Sequence, residues 1–171
     1  MNIALFGFMG VGKSEVGRIL ADRLGLAFVD LDEEVERRAG KPIAAIFEED
    51  GETAFRALER DVALEAAARD GQVIACGGGT VLNDESLRSL RESSVMVLLT
   101  ADPVTIVHRV AGDGARPLLN APDRLERIAA LLSERRPRYL RAADIVIDTV
   151  RRTPEQVAEE LLHRLRGAET S

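Results

Sequence analysis

Short apolar runs alternate with longer amphipathic stretches along this chain. The apolar runs cover residues 3–6, 27–31, 73–76, 95–99 and 145–147. Runs of this length that end in polar or turn residues are typical of strands buried on both faces of a parallel sheet. The stretches between them carry apolar residues three or four positions apart, which predicts helices. The alternation therefore predicts an α/β fold, a three-layer sandwich in which helices cover both faces of a five-stranded parallel sheet.

Two segments break the alternation. Residues 32–72 separate the second and third runs, which is more chain than one crossover helix requires, so we expect an inserted helical segment there. Residues 112–121 carry Gly and Asp at one end and Pro at the other, which is typical of a surface loop long enough to act as a lid. A chain of 171 residues, 46% of them hydrophobic, is long enough for one domain. We expect this domain to span 1–171, with its insertion at about 32–60 and its lid at about 112–122.

A glycine-rich segment, Gly7 to Ser14 with the sequence GFMGVGKS, directly follows the first apolar run and precedes an amphipathic stretch. Glycines let the backbone N–H groups of such a loop turn inward around a phosphate without Cβ clashes. Lys13 then adds a compact cation for the outer phosphates, and the Ser14 hydroxyl is a ligand for Mg²⁺. A glycine-rich turn could match by chance, but the strand before it and the helix after it favour a site for a nucleoside triphosphate.

Composition and charge narrow the class of protein. The net charge is −6 and the pI about 5.1, which argues against a protein that coats nucleic acid or an anionic membrane. The single cysteine, Cys76, cannot form an internal disulfide and fits a reducing compartment. The chain has no signal-peptide pattern and no apolar run that approaches the ~20 residues of a membrane helix. We expect a cytoplasmic monomer that acts on small molecules, with no nucleic-acid or membrane partner.

Two carboxylates, Asp30 and Asp32, follow the second run, at the edge of the sheet where ligands of parallel α/β proteins bind. At positions i and i+2 of an extended chain both would point the same way, one to order Mg²⁺ and its waters and the other to contact an acceptor hydroxyl. Alternatively, Asp32 caps the next helix, with Glu33 and Glu34 in the favourable first turn. Taken alone, the pattern leaves both interpretations open.

Three glycines, Gly77 to Gly79, follow the third run. They would let a ligand lie directly against backbone N–H groups, although a plain tight turn has the same composition. Cys76, just before them, has no histidine or other base beside it in sequence. We interpret it as a small buried core residue.

Arginines are the candidates for binding an anionic group. Arg56 and Glu59 are three residues apart on a predicted helix and form either an ordinary surface pair or part of a site. A basic cluster surrounds Pro137 and is either a solvated face or a clamp, because a forked guanidinium binds carboxylate or phosphate well. The cluster consists of Arg135, Arg136, Arg138 and Arg141. Arg116, in the expected lid, could swing over the phosphates of the nucleotide.

Taken in order, these motifs resemble the shikimate kinase family of P-loop kinases. The matching elements are the loop at 7–14, Asp30-x-Asp32, Phe55-Arg56-x-x-Glu59, Gly77-Gly78-Gly79, Arg116-Pro117-Leu118-Leu119, and the arginine at 135 before Pro137 and Tyr139. The resemblance covers nearly the whole chain. It implies ATP-dependent phosphorylation of the 3-hydroxyl of shikimate, with Mg²⁺, in the pathway to chorismate and the aromatic amino acids.

The resemblance also implies roles for the matching residues. Asp32 would hold and deprotonate the acceptor hydroxyl, and Asp30 would order the Mg²⁺ shell together with Ser14. Arg116 would neutralise the phosphates from the closed lid, and Lys13 from the loop. The remaining ATP contacts are Gly10, Val11, Gly12, Arg109, Arg152 and Pro154, of which Arg109 and Pro154 would flank the adenine. The shikimate contacts are Arg56 and Arg135 on the carboxylate, with Gly77, Gly78 and Gly79 in the glycine turn.

Some residues depart from the family pattern or are not fixed by it. Glu15 places a negative charge near the phosphates, and Cys76 stands where Thr or Ser is usual. Arg135 and Arg136 are adjacent, and only the family's spacing to Pro137 selects the first.

Other functions are compatible with the glycine-rich loop. The nearest alternative is another small-acceptor kinase, acting on gluconate or a nucleoside monophosphate; the few aromatic residues available to stack a base count against the nucleotide version. No Asn-Lys-x-Asp sequence is present, which argues against a GTPase of the Ras type. A non-catalytic ATP-binding regulator is the alternative from another class, and Asp30, Asp32 and Arg56 argue against it.

Overall fold

A computed structural model describes residues 1–110 and 123–169. Within those ranges, five parallel strands form one sheet in the order β2-β3-β1-β4-β5. The strands are β1 Asn2–Phe6, β2 Ala27–Asp30, β3 Gln72–Ala75, β4 Ser94–Thr100 and β5 Ile145–Asp148. The helices are α1 Lys13–Leu24, α2 Leu31–Ala39, α3 Ile43–Glu49, α4 Glu52–Ala67, α5 Asp84–Ser93, α6 Pro103–Val110, α7 Arg124–Ala142 and α8 Pro154–Glu169. The predicted α/β fold with a five-stranded parallel sheet is confirmed.

The central strands of the sheet are buried on both faces, which explains why their sequences are continuous apolar runs. Strand β1 pairs with β3 on one side and β4 on the other, and Ala4, Leu5 and Phe6 have no exposed surface. Helix α1 packs on β1, β2 and β3 and against α8, while α5 and α7 pack on β4. A strand that is covered in this way has no solvent face, so its sequence does not alternate between apolar and polar residues.

The segment between β2 and β3 contains three helices, α2, α3 and α4, and a 3₁₀ turn at Thr80–Leu82 follows β3. Helix α4 packs against both α2 and α3. Because β2 is an edge strand, this helical segment lies at one end of the sheet and leaves the carboxyl ends of the central strands open. The expected lid at about 112–122, including Arg116, lies outside the described residues.

Candidate active site

The glycine-rich loop joins β1 to α1 in a conformation that only glycine adopts easily. Gly7 and Gly10 have φ angles of +145° and +81°, in the region that L side chains avoid. A Cβ atom on Gly7 would also collide with the backbone oxygen of Leu99. The Lys13 ammonium donates to the backbone oxygens of Gly7 at 2.6 Å and Phe8 at 3.3 Å. The cation therefore lies over the loop, at the N-terminus of α1, where an anion is stabilised.

Asp30 connects the glycine-rich loop to the helix that follows β2. Its Oδ2 atom accepts a hydrogen bond from the Ser14 hydroxyl. Its Oδ1 atom accepts from the backbone N–H groups of Asp32, at 3.0 Å, and Glu33, at 3.2 Å. Asp30 is therefore the cap of α2, and the alternative that Asp32 caps this helix is wrong.

The prediction of an extended chain from Asp30 to Asp32 is also wrong. Strand β2 ends at Asp30, and helix α2 begins at Leu31, one residue inside the predicted strand. The reason is local, since a carboxylate that accepts two N–H groups ahead of it starts a helix at once. Asp32 consequently lies in the first helical turn and reaches the cleft from α2 instead of from a strand end.

The Ser14 and Asp30 side chains offer hard oxygen donors beside the loop, as Mg²⁺ requires. Among the described residues, no group of three or more His, Cys, Asp and Glu side chains is arranged to hold a metal ion. Mg²⁺ that accompanies a nucleotide takes few protein ligands, because phosphate oxygens and water complete its shell. The donor set therefore fits a Mg²⁺ ion bound together with a nucleotide.

Asp32 and Glu59 meet beside Gly77. A Cβ atom placed on Gly77 would lie 2.7 Å from Asp32 Oδ1 and 3.0 Å from Glu59 Oε2. Glycine is required here for close approach and not for backbone conformation, because Gly77 does not have a positive φ angle. The two carboxylates thus reach the same point from α2 and α4.

Arg56 and Glu59 are not an ordinary surface pair. The Arg56 guanidinium donates to Glu59 Oε1 at 3.0 Å, and Glu59 is only 5% exposed. Burial raises the pKa of the Glu59 carboxyl above its ordinary value, while Arg56 acts in the opposite direction and Asp32 adds to the rise. The guanidinium also lies against Gly79. Arg56 is therefore held at the glycine turn by a carboxylate buried behind it.

Arg135 and its neighbour Arg136 have different surroundings. Arg135 is partly buried, with its guanidinium 5.4 Å from the centre of the Phe8 ring and 3.6 Å from the position of a Cβ atom on Gly78. Arg136 is exposed and does not line the cleft. Of these two neighbours, Arg135 is therefore the one that faces the cleft. Of the rest of the basic cluster, Arg138 donates to the Val81 carbonyl at 3.0 Å.

On the side of the glycine-rich loop that faces the end of β5, the contacts centre on Thr149, just after that strand. Arg109 donates to the Thr149 hydroxyl at 2.9 Å, to its carbonyl at 2.8 Å and to the Gly10 carbonyl at 3.2 Å. The Thr149 hydroxyl in turn donates to the carbonyl of Thr100 at the end of β4, at 2.9 Å. Arg152 is paired with Glu160 and donates to the Asp148 carbonyl at 3.0 Å. These contacts hold the residues predicted to lie near the adenine against the glycine-rich loop.

A single cleft of about 850 Å³ brings the predicted residues together. It runs from the glycine-rich loop past Asp30 and Asp32 to the glycine turn. Its lining includes the predicted residues Gly10, Val11, Gly12, Lys13, Ser14, Asp30, Asp32, Arg56, Gly78, Gly79, Arg109, Arg135, Arg152 and Pro154. Gly77 lies behind this lining, against the carboxylates of Asp32 and Glu59.

Sequence reasoning missed two residues that support the cleft, and it did not place Glu59 in the site. The Tyr139 hydroxyl donates to the Gly78 carbonyl at 2.6 Å. Its signal was present, because Tyr139 lies four residues after Arg135, on the same face of α7. Thr149 had no comparable signal, since its partners are 40 and 49 residues away in sequence.

The two departures from the family pattern lie at different depths. Cys76 is buried, and burial raises the pKa of its thiol to about 12. A thiol with that pKa stays protonated and unreactive at neutral pH, in agreement with its interpretation as a core residue. Glu15 is exposed in the first turn of α1, at the rim of the cleft.

Comparisons with known proteins agree with this geometry. The family model described as shikimate kinase matches residues 9–166. A shikimate kinase from Symbiobacterium thermophilum is 48% identical, with 96% of each chain covered. A solved shikimate kinase from Acinetobacter baumannii, in complex with shikimate, is 34% identical with a TM-score of 0.96, covering 99% of this chain and 95% of that one.

A more distant likeness concerns the fold alone. A solved gluconokinase from Sinorhizobium meliloti is 19% identical, with a TM-score of 0.56 over 99% of this chain and 94% of that one. Among the described helices, none is long and apolar enough to cross a membrane. The family model that matches residues 9–166 and the relative that is 48% identical over 96% of each chain lead to one assignment: this chain belongs to the shikimate kinase family.

Proposed function

We propose that this protein transfers the terminal phosphoryl group of ATP to the 3-hydroxyl of shikimate, in the pathway to chorismate. The observation that carries the proposal is the cleft, which joins a phosphate loop to Asp32 and to two guanidinium groups, those of Arg56 and Arg135. A small acceptor with one carboxylate and a ring of hydroxyls matches that arrangement. The solved relative from Acinetobacter baumannii, which is described in complex with shikimate, supports the same acceptor.

On the donor side, the backbone N–H groups of the loop and Lys13 would bind the ATP phosphates. Ser14 and Asp30 would hold Mg²⁺, which neutralises phosphate charge when bound. Arg109 and Pro154 would flank the adenine, with Arg152 beside them. Arg116 is proposed from the resemblance alone, as the cation that covers the phosphates.

On the acceptor side, Asp32 is the proposed general base. It lies in the first turn of α2 and lines the same cleft as the glycine-rich loop. Arg56 and Arg135 would bind the shikimate carboxylate, and the Gly78 N–H would add a backbone contact. Phosphoryl transfer requires alignment of donor and acceptor and neutralisation of charge, and these groups supply both.

The organisation of the protein follows as a further part of the proposal. We infer one kinase domain over 1–171, with a shikimate-binding insertion at about 32–60 and a lid at about 112–122. The single cysteine supports a reducing, cytoplasmic location, and we infer a monomer.

The experiment that tests the function is ADP release measured with several acceptors in parallel. Shikimate, gluconate and nucleoside monophosphates are offered separately to the full chain with ATP and Mg²⁺. We expect turnover with shikimate and at most background with the others. Equal turnover with gluconate, or none with shikimate, would show that the assignment of the acceptor is wrong.

Asp32→Asn tests the role of the base. The amide keeps the shape of the side chain and cannot accept a proton, so kcat should fall by about a thousandfold or more while ATP binding stays within twofold. Glu34→Gln, on the same helix but outside the cleft, is the matched control. Loss of ATP binding in Asp32→Asn would instead assign this carboxylate to the nucleotide side.

A further inference from the structure

Thr80 carries a buried hydroxyl that the proposed reaction does not use. The residue opens the 3₁₀ turn after the glycines and has no exposed surface. Its Oγ1 atom has no hydrogen-bond partner in the part of the chain that the structure describes. A buried hydroxyl without a partner costs free energy, so such a group in a folded protein calls for an explanation.

The hydroxyl lies beside the two carboxylates of the acceptor site. The Cβ position on Gly77 that is 2.7 Å from Asp32 Oδ1 and 3.0 Å from Glu59 Oε2 is 3.3 Å from Thr80 Oγ1. Three oxygens from three elements therefore surround one point. When both carboxylates are ionised, the Thr80 hydroxyl is the only one of the three with a proton to donate.

The two oxygens of Glu59 have different surroundings. Oε1 accepts from the Arg56 guanidinium at 3.0 Å, and Oε2 lies 3.0 Å from the Cβ position on Gly77 that Thr80 Oγ1 also approaches. Arg56 has a second carboxylate within reach, that of Glu52, at 3.7 Å and near the solvent. If Glu59 lost its charge, the attraction of the Glu52 carboxylate would draw Arg56 toward the solvent and away from the glycine turn. A donor on Oε2 favours the ionised form of Glu59 and opposes that movement.

We propose that Thr80 is a positioning residue of the acceptor site, whose hydroxyl donates to Glu59 Oε2 and thereby keeps Arg56 aimed at the acceptor carboxylate. The inference rests on the proposed function, because it assigns Arg56 to the acceptor. Thr80 itself touches no substrate and acts through Glu59. The hydrogen bond requires the two side chains to rotate toward each other, and both oxygens lie within 3.3 Å of the same Cβ position on Gly77.

The test compares Thr80→Val with Thr80→Ser in the full-length enzyme. Valine keeps the branched shape and removes the hydroxyl, whereas serine keeps the hydroxyl. We expect Thr80→Val to raise the KM for shikimate about tenfold, with the KM for ATP and kcat changed less than threefold. Thr80→Ser should stay within threefold of the parent in all three constants.

Ser86→Ala is the matched control. Ser86 also carries a buried hydroxyl without a partner among the described residues, but on α5 and away from the cleft. Its removal should leave both KM values unchanged. Where valine at position 80 prevents folding, Thr80→Ala removes the same hydroxyl without adding a branch and carries the same expectation.

A pH profile gives a readout that packing alone would not move. Loss of the donor would raise the pKa of Glu59, so the acid limb of kcat/KM for shikimate should shift to higher pH in Thr80→Val. The ionisable groups that act on Glu59, or on which it acts, are Arg56 on α4, Asp32 on α2, Arg135 and Tyr139 on α7, and Cys76 after β3. All of them are retained in the variant, so the shift reports on the hydroxyl.

Three outcomes separate this inference from the proposed function. An unchanged shikimate KM in a folded Thr80→Val or Thr80→Ala protein would overturn the inference, and so would equal impairment of the serine and valine variants. A parent enzyme that ignores shikimate and turns over another acceptor would overturn the proposed function. In that case the same variants, measured with that acceptor, decide the role of Thr80.

Discussion

The Glu59 carboxyl lies in an unfavourable position for a charge, buried beside a second carboxylate. Burial and Asp32 both raise its pKa, and the Arg56 guanidinium opposes them. An ionised group in such a place costs folding free energy. The cost has a function, because the same carboxylate holds Arg56 at the glycine turn. At the scale of the residue, the buried carboxylate lowers stability and orients Arg56, the proposed substrate-binding cation.

Glu59→Gln tests how much stability the buried carboxylate costs. Below the ordinary pKa of Glu, near 4.5, the carboxyl is protonated in both folded and unfolded chains and contributes no charge effect. As the pH rises from there to the raised pKa of the folded state, the cost of ionising the buried carboxyl builds up, and above that pKa it stays constant. Relative to the parent, Glu59→Gln should therefore gain free energy of unfolding as the pH rises above about 4.5, while its KM for shikimate rises about tenfold.

Urea unfolding at a series of pH values measures this difference. Glu65→Gln is a control of opposite sign, since the bond from Arg38 lowers the pKa of the exposed Glu65 carboxyl. Its stability relative to the parent should fall as pH rises. A Glu59→Gln protein that loses relative stability with rising pH would contradict the expectation.

Arg135 and Arg136 allow a comparison of neighbours. Arg135 lies over Phe8 and beside Gly78, whereas Arg136 is exposed. Arg135→Ala should raise the KM for shikimate at least tenfold, because a charge-assisted contact to the substrate carboxylate is lost. Arg136→Ala should change it less than twofold. Steady-state kinetics of the two variants measure the difference, and equal effects would remove Arg135 from the site.

At the scale of the element, the glycine turn after β3 is a surface on which other side chains rest. Gly77 contacts Asp32 and Glu59, Gly79 contacts Arg56, and the Gly78 carbonyl is held by Tyr139. The turn thus positions Asp32, the proposed base, and Arg56, the proposed acceptor-binding cation, at the end of the central strands. Gly77 and Gly79 leave room for these side chains, and neither has a positive φ angle that would require glycine.

Gly77→Ala should disrupt that alignment. The added methyl group would lie 2.7 Å from Asp32 Oδ1 and must displace the carboxylate. We expect kcat to fall about a hundredfold or more, because small misplacement of a reacting group is costly, with ATP affinity within threefold. Gly167→Ala, where a Cβ atom meets nothing within 4 Å, is the control. Normal kcat in Gly77→Ala would mean that Asp32 does not need its present position.

Much of the fold was predictable because buried parallel strands leave a simple pattern. The boundaries were less accurate where one side chain decides them, as at Asp30, which ends β2 by capping α2. The burial of Glu59 was not predictable from its i, i+3 spacing to Arg56, since α2 and the glycine turn cover it. Motif residues could be found from the sequence, whereas their supports could not, because those depend on contacts across the fold.

At the scale of the whole molecule, Thr149 connects parts of the chain that are distant in sequence. Its hydroxyl donates to Thr100 at the end of β4 and accepts from Arg109 at the end of α6, which also donates to Gly10 in the phosphate loop. Thr149 is only 2% exposed. The ends of two strands, one helix and the phosphate loop are therefore held together by one buried hydroxyl and one guanidinium.

Thr149→Val should loosen the donor side alone. We expect the KM for ATP to rise several-fold, the KM for shikimate to stay within twofold, and the free energy of unfolding to fall by about 1 kcal/mol. Thr149→Ser, which keeps the hydroxyl, should restore most of both. Kinetics and urea unfolding of the pair measure this, and an equal rise in both KM values would argue against a separate donor side.

Asp30 places its two carboxylate oxygens on two different parts of the molecule. Oδ2 binds Ser14 of the phosphate loop, and Oδ1 binds the first N–H groups of the helix that carries Asp32. One side chain therefore fixes the position of the glycine-rich loop relative to the helix that carries the proposed base. A chimaera that takes its acceptor-binding helices from another small-molecule kinase should accordingly be joined after residue 30. A junction before residue 30 would replace Asp30 itself and so remove its link between the glycine-rich loop and α2.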